Sequence, residues 1–193
     1  MRRVDLVLWD GVELLDFAGP GQVFACADEG RAFQVRTVAA HPGTIRSQGF
    51  LVVHPEALLG EGPPPDILVV PGGASETAVE DPVLIEGIAR VGAEAGIVLS
   101  VCTGAILLAR AGLLTGGMGA TTWKGALDRL RAEAPEVAVA GGPRWVDNGR
   151  ILTAAGVSAG IDASLHLVRR LLGPEVMRDT AGYMEYPIPK FES

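Results

Sequence analysis

The sequence has only two cysteines, Cys26 and Cys102, among 193 residues. They allow at most one disulfide and supply no cluster of thiolate ligands, which excludes a disulfide scaffold and a structural zinc site. Histidine is almost as scarce, with His41, His54 and His166. None adjoins Cys102 in sequence, so the thiol has no obvious imidazole base, and the spacings suit no metal site. His41-Pro42-Gly43 and His54-Pro55 read as turns, and His166 as a hydrogen-bonded position on a helix. Basic residues are outnumbered, 16 Lys and Arg against 23 Asp and Glu for a net charge of −7. Such an acidic field repels phosphate backbones and anionic headgroups, so neither nucleic acid nor a membrane is an expected partner. Long apolar runs are missing too. The longest charge-free stretch, Ala95 to Ala109, has 15 residues and contains Ser100, Thr103 and two glycines, short of the roughly 18 needed to span a bilayer. Asp5 and Asp10 interrupt the apolar stretch that a signal peptide would need after Met1-Arg2-Arg3. The chain reads as cytoplasmic.

What the sequence does have is apolar material, 48% hydrophobic against 20% charged residues, enough for one folded domain over residues 1–193. Short apolar runs at Val4 to Trp9, Phe33 to Ala39, Asp66 to Val70, Ile97 to Val101 and Ile151 to Ala155 have the character of strands buried on both faces. Between most of them lie segments of helical periodicity: Glu13 to Ala27, broken or restarted at Gly19-Pro20, then Pro82 to Ala95, Gly104 to Ala111, Lys124 to Ala134 and Ala159 to Leu172. Gly173-Pro174 stops the last of these, and a short helix is expected to follow. The alternation predicts an α/β sandwich, a mainly parallel sheet with helices on both faces. Thr44 to Val53 reads as a hairpin at the sheet edge, and Pro63-Pro64-Pro65 as a loop entering a strand.

Candidate chemistry gathers at the predicted strand ends. In Ile97-Val98-Leu99-Ser100-Val101-Cys102-Thr103-Gly104-Ala105 a strand runs into Cys102 and then into a helix start, with small residues, Ser100 and Gly104, two places to either side. This is the steric pattern of a nucleophile elbow, where helix-terminal amides would favour thiolate and lower the thiol pKa. A buried core cysteine fits the same local pattern. Asp66-Ile67-Leu68-Val69-Val70-Pro71-Gly72-Gly73 is a second strand ending in exposed amides. If the two strands are neighbours, the Gly73 and Thr103 amides form an oxyanion-type hole; a tight turn is the alternative. Asp16 is a carboxylate in apolar surroundings, with Glu13 as its solvated neighbour. Burial would raise its pKa and make it a general acid, and a helix cap is the other reading. Thr122 of Thr121-Thr122-Trp123 reads as an N-cap, and Trp123 as either core or pocket wall. Cys26, in the apolar helical stretch Val23-Phe24-Ala25-Cys26-Ala27, is expected to be hidden and unreactive. Tyr183 to Pro189 reads as a tail or as a cover for a partner subunit.

Taken together, Asp16-Phe17-Ala18-Gly19-Pro20, Val70-Pro71-Gly72-Gly73, Val101-Cys102-Thr103-Gly104-Ala105, Ala120-Thr121-Thr122-Trp123 and Thr153-Ala154-Ala155-Gly156-Val157-Ser158-Ala159-Gly160-Ile161-Asp162 resemble the ThiJ/PfpI superfamily, related to class I glutamine amidotransferases, and its isocyanide hydratase-like branch. The resemblance implies a flavodoxin-like sandwich and a homodimer acting on a small electrophile without cofactor or metal. It further implies Cys102 as nucleophile, Asp16 as acid and Thr103 as a stabilising group, with Gly72, Gly73, Gly104, Thr122 and Trp123 around the substrate. Proteolytic branches commonly carry a histidine after the cysteine and a glutamate at the acidic position. Here Thr103 and Asp16 stand in those places, which counts against protease activity. Relatives often read Thr-Thr-His-Trp where this chain reads Thr121-Thr122-Trp123, so the substrate is where departure is expected. Isocyanide hydration is the reading favoured by the resemblance. A glyoxalase or deglycase acting on reactive carbonyls, and a non-catalytic ligand- or redox-sensing module, are the alternatives.

Overall fold

The alternating apolar and amphipathic segments assemble, in a computed structural model that describes residues 1–188, into a sheet covered on both faces. In chain order the elements are β1 (Arg2–Leu8), α1 (Leu14–Cys26), β2 (Phe33–Ala39), β3 (Ile45–Ser47), β4 (Leu51–Val53), β5 (Ala57–Leu58), β6 (Ile67–Val70), α2 (Ser75–Ala78) and α3 (Pro82–Glu94). They continue with β7 (Ile97–Val101), α4 (Gly104–Arg110), β8 (Gly119–Ala120), α5 (Leu127–Glu133), β9 (Ala138–Val139), β10 (Trp145–Asp147), β11 (Ile151–Ala154), α6 (Ala159–Leu172) and α7 (Pro174–Tyr183). The seven-stranded sheet runs β10-β11-β7-β6-β1-β2-β5. Every pairing in it is parallel except that of β10 with β11.

The strands are apolar throughout because both faces meet helices. Val4 and Leu6 of β1 join Phe24 of α1, Leu165 and Val168 of α6 and Met177 of α7 on one face. Leu84 and Ile88 of α3, Ile106 and Leu107 of α4 and Leu130 of α5 cover the other. Each such side chain contributes about 1.5–3 kcal/mol on burial. Asp5, fully buried in β1, is compensated by its register neighbour on β2, Arg36, whose Nε and Nη2 lie 2.8 and 3.0 Å from its carboxylate oxygens. Among the described residues no helix is long and apolar enough to cross a membrane.

Two local expectations need correction. α1 is not broken at Gly19-Pro20 but passes through Pro20. Packing overrides the lost hydrogen bond: a Cβ on Gly19 would come within 2.9 Å of Ile161, and one on Gly21 within 3.0 Å of Leu6. The bare backbone there lets α1 sit tightly against α6 and β1. Secondly, Ile45–Ser47 and Leu51–Val53 do pair antiparallel, but as a separate ribbon; the sheet edge is β5. The helix expected after Pro174 is present and runs for ten residues, Pro174–Tyr183. Of the tail, Tyr186 is tied by its hydroxyl to Asp162 at 3.0 Å, and Pro189 lies outside the described residues.

Candidate active site

Neighbouring β6 and β7 bring their two loops together at the carboxyl edge of the sheet, where sites gather in open parallel sheets. Cys102 directly follows β7 and holds φ at +56°, a left-handed conformation that costs a non-glycine residue about 1–2 kcal/mol. Its N–H anchors the turn by donating to the carbonyls of Ala154 and Ala155 at 3.1 and 3.0 Å. Gly104 makes the sharp turn possible, because a Cβ there would collide with the Val70 carbonyl oxygen. The small residue at this position therefore serves backbone packing rather than open substrate space.

Asp16 arrives from the other side. The β1–α1 connection is clasped to the β6 loop by an antiparallel bridge between Val12 and Gly73, with Glu13 N–H donating to Gly72 O at 2.9 Å and Ala74 N–H to Gly11 O at 3.0 Å. The clasp places the Asp16 carboxyl, fully buried in the first turn of α1, against Gly72, whose N–H donates to Oδ2 at 2.9 Å. Oδ1 is buried without a protein hydrogen-bond partner among the described residues. Burial is the main reason that the Asp16 carboxyl is pushed up to about 7, with Glu13 adding repulsion and the Gly72 amide and Cys102 thiol opposing. Asp16 lies inside a continuous helix and is not the cap of a restarted one.

The expected low thiol pKa is not found. Burial, followed by the charge of Asp16, pushes the Cys102 thiol up to about 12, outweighing the Thr103 and Val157 amides that stabilise thiolate. The resting pair is consequently a neutral thiol beside a carboxyl that titrates near neutrality. Cys26 is not hidden: it is half-buried, its Sγ donating to Val23 O at 3.6 Å, and burial raises that thiol as well. Thiol pKa therefore gives no basis for singling out Cys102 by simple alkylation.

The oxyanion-type hole also differs in membership. Gly73 N–H donates to Thr103 Oγ1 at 3.0 Å, and that hydroxyl lies 3.3 Å from Gly73 O, so both groups are engaged in locking the β6 loop to the elbow. The amides that meet the sulfur are those of Thr103 and Val157. Val157 holds φ at +47° in the β11–α6 turn. Its role was missed in the sequence because a backbone amide carries no side-chain signature; the left-handed β-branched residue is visible only in the fold. Thr122 is not an N-cap. Its Oγ1 donates to Cys102 O at 2.6 Å and braces the elbow from below. Trp123 is half-exposed and lines a cavity of about 380 Å³ with Thr121, Thr122, Leu127, Ala155 and Val157. His41 pairs with Asp81 and His166 with Asp147, each at 2.7 Å, and neither shifts the Cys102 thiol.

A buried thiol on a left-handed turn and a buried carboxyl beside it, at the edge of a flavodoxin-like parallel sheet, define a known class of architecture. Residues 2–170 match the DJ-1/PfpI family, and the chain belongs to it. It is 32% identical over 193 residues to an isonitrile hydratase of Pseudomonas putida, covering 99% of this chain and 82% of that protein. The transcriptional regulator CdhR of Pseudomonas aeruginosa is 24% identical over 172 residues, covering 88% of this chain; the match spans about half of that regulator's length, 51%. A ThiJ/PfpI family protein from Pseudomonas syringae superposes with a TM-score of 0.87 at 28% identity, over 98% of this chain and 77% of that one. Drosophila melanogaster DJ-1beta shares the fold, with a TM-score of 0.82 at 17% identity over 96% and 98% of the two chains.

Proposed function

We propose that the protein is a cysteine-dependent hydratase that converts an isocyanide into an N-substituted formamide. The observation that carries this reading is the pair itself, a neutral thiol at Cys102 beside the buried Asp16 carboxyl that titrates at about 7. Addition to an isocyanide needs a nucleophile and a proton at the same carbon, and the pair in its one-proton state holds both. The Cys102 proton passes to Asp16 as sulfur bonds to the terminal carbon. Asp16 then delivers that proton to the same carbon, leaving a thioimidate and a carboxylate. In the second half the carboxylate takes a proton from water as the oxygen bonds to the thioimidate carbon, and it passes that proton on to the nitrogen. The C–S bond breaks, the formamide carbonyl forms, and the thiol recovers its proton. The Thr103 and Val157 amides favour negative charge on sulfur at each step where it appears.

The 32% identity to a hydratase over nearly the whole chain supports the same reading. The decisive assay offers purified protein an aryl isocyanide and, separately, methylglyoxal. Formamide production that disappears in Cys102→Ala supports the hydratase; turnover of methylglyoxal alone replaces it with the carbonyl chemistry. The match to regulators favours a second reading, a sensory module. Ligand binding with no turnover of either compound would establish that one.

A further inference from the structure

The cavity that adjoins the elbow through Thr122 and Val157, with Cys102 and Asp16 themselves outside its lining, has an unusual electrostatic character for so acidic a chain. Its wall comprises Trp123, Lys124, Leu127, Gly141 to Arg144 and Ala155 to Val157 with the two threonines, and no carboxylate lines it. Its only charged members are therefore cations, in a protein whose net charge is −7. Lys124 is exposed and forms no ion pair with any described residue. Arg144 is held from behind: Nε donates to Asp162 Oδ2 at 2.6 Å, Nη2 pairs with the same carboxylate and reaches Ser158 Oγ at 3.2 Å, and the Tyr186 hydroxyl fixes the other oxygen of Asp162. Asp162 thus offsets one positive charge and orients the guanidinium, whose Nη1 bonds to none of the described residues. Lys124 remains as uncompensated charge. Apart from the two threonines the rest of the wall, Trp123 and Leu127 above all, is uncharged and apolar or aromatic, and about 380 Å³ suits a molecule of roughly a dozen heavy atoms.

We infer that the electrophile taken beside Cys102 is a monoanion, an aromatic or apolar isocyanide carrying a carboxylate, selected by Lys124 and the oriented Arg144. The isocyanide part of this statement rests on the hydratase reading, and the anion part rests on the cavity wall alone. The carboxylate accepts from the two cations while the ring packs against Trp123 and Leu127, leaving the reacting carbon toward the Thr122 and Val157 end, where the elbow begins. At about 0.15 M salt the Debye length is about 8 Å, so the distant acidic surface is screened and the cations in the wall are not.

The test compares 4-isocyanobenzoate with 4-isocyanobenzamide as substrates, and the matching formamides, 4-formamidobenzoate and 4-formamidobenzamide, as ligands in calorimetric titration at 0.15 M salt. The carboxylate is expected to show a KM and a Kd at least fivefold lower than the amide. Lys124→Gln is expected to shrink that ratio about three- to fivefold, in keeping with one exposed charge pair. Arg178→Gln, which removes the same charge from the exposed face of α7, is expected to leave the ratio unchanged. A ratio near one in the wild-type protein, a ratio indifferent to Lys124→Gln, or no binding of either formamide at millimolar concentration overturns the inference. If neither isocyanide is turned over while carboxylate selectivity and its dependence on Lys124 persist in the titrations, the hydratase reading falls and the anion selectivity stands.

Discussion

At Asp16 the burial of a carboxyl has a cost in stability. A carboxyl raised from 3.8 to about 7 means that the folded chain binds protons more tightly than the unfolded one, so stability falls as pH rises between those values and then levels off. At about 1.4 kcal/mol per unit the penalty reaches a few kcal/mol above neutrality. Asp16→Asn should remove it while keeping an acceptor for the Gly72 amide. We expect unfolding free energy, measured by urea denaturation, to rise by about 2–4 kcal/mol at pH 8 and by less than about 1 kcal/mol at pH 4. Turnover should fall at least about a hundredfold with the loss of the proton carrier. Because the productive state of the pair carries one proton, kcat/KM should increase as pH rises through about 7, the opposite of what an acid acting alone would give. A flat profile from pH 6 to 8 would remove Asp16 from the mechanism. Cys102 and Asp16 were legible in the sequence because each residue is out of place: a cysteine between small residues after a strand, and a carboxylate in an apolar run. The direction of the thiol shift was not legible, since it depends on how deeply the fold buries the elbow and on Asp16 reaching it from the first turn of α1.

Among the elements, α4 is bounded by two glycines that do different work. Gly104 at its start faces the Val70 and Pro71 carbonyls with no room for a methyl group, whereas Gly112 beyond its end holds φ at +69° in open space. Gly104→Ala should cost about 1–3 kcal/mol and displace the elbow, lowering turnover at least tenfold. Gly112→Ala should cost about 1 kcal/mol through backbone conformation alone and leave kinetics intact. Thermal melts paired with steady-state rates distinguish the two; equal rates in both variants would show that the elbow tolerates the shift. The central strands and α6 were readable because burial on both faces, or on one helical stripe, imprints a period on the sequence. α1 was misread at Pro20 because the local cost of proline is visible in sequence and its tertiary compensation by α6 is not. β10, only three residues long and antiparallel, carries too little pattern to announce itself. Detachment of the β3–β4 ribbon from the sheet likewise depends on what the neighbouring strands leave unpaired.

For the whole molecule, the distribution of apolar surface bears on assembly. The ribbon and the sheet edge expose Phe50, Val52 and Leu58, at 69%, 50% and 44% of their surface. Exposed apolar side chains on one ribbon and a neighbouring edge strand are candidates for burial by a second copy, and two-fold pairing is the commonest way to bury them. Each copy carries −7, so such a contact must gain more from apolar burial than it loses to repulsion between like-charged subunits. Salt screens the repulsion and leaves the apolar gain largely intact. A homodimer is therefore expected at micromolar concentration, with a dissociation constant that falls between 20 and about 150 mM salt. Phe50→Glu should weaken it by removing apolar contact and adding two negative charges to the interface. Light scattering with sedimentation at both salt concentrations measures the mass directly. A monomer under all conditions would rule out the dimer, and a dimer indifferent to Phe50→Glu would move the interface to another face.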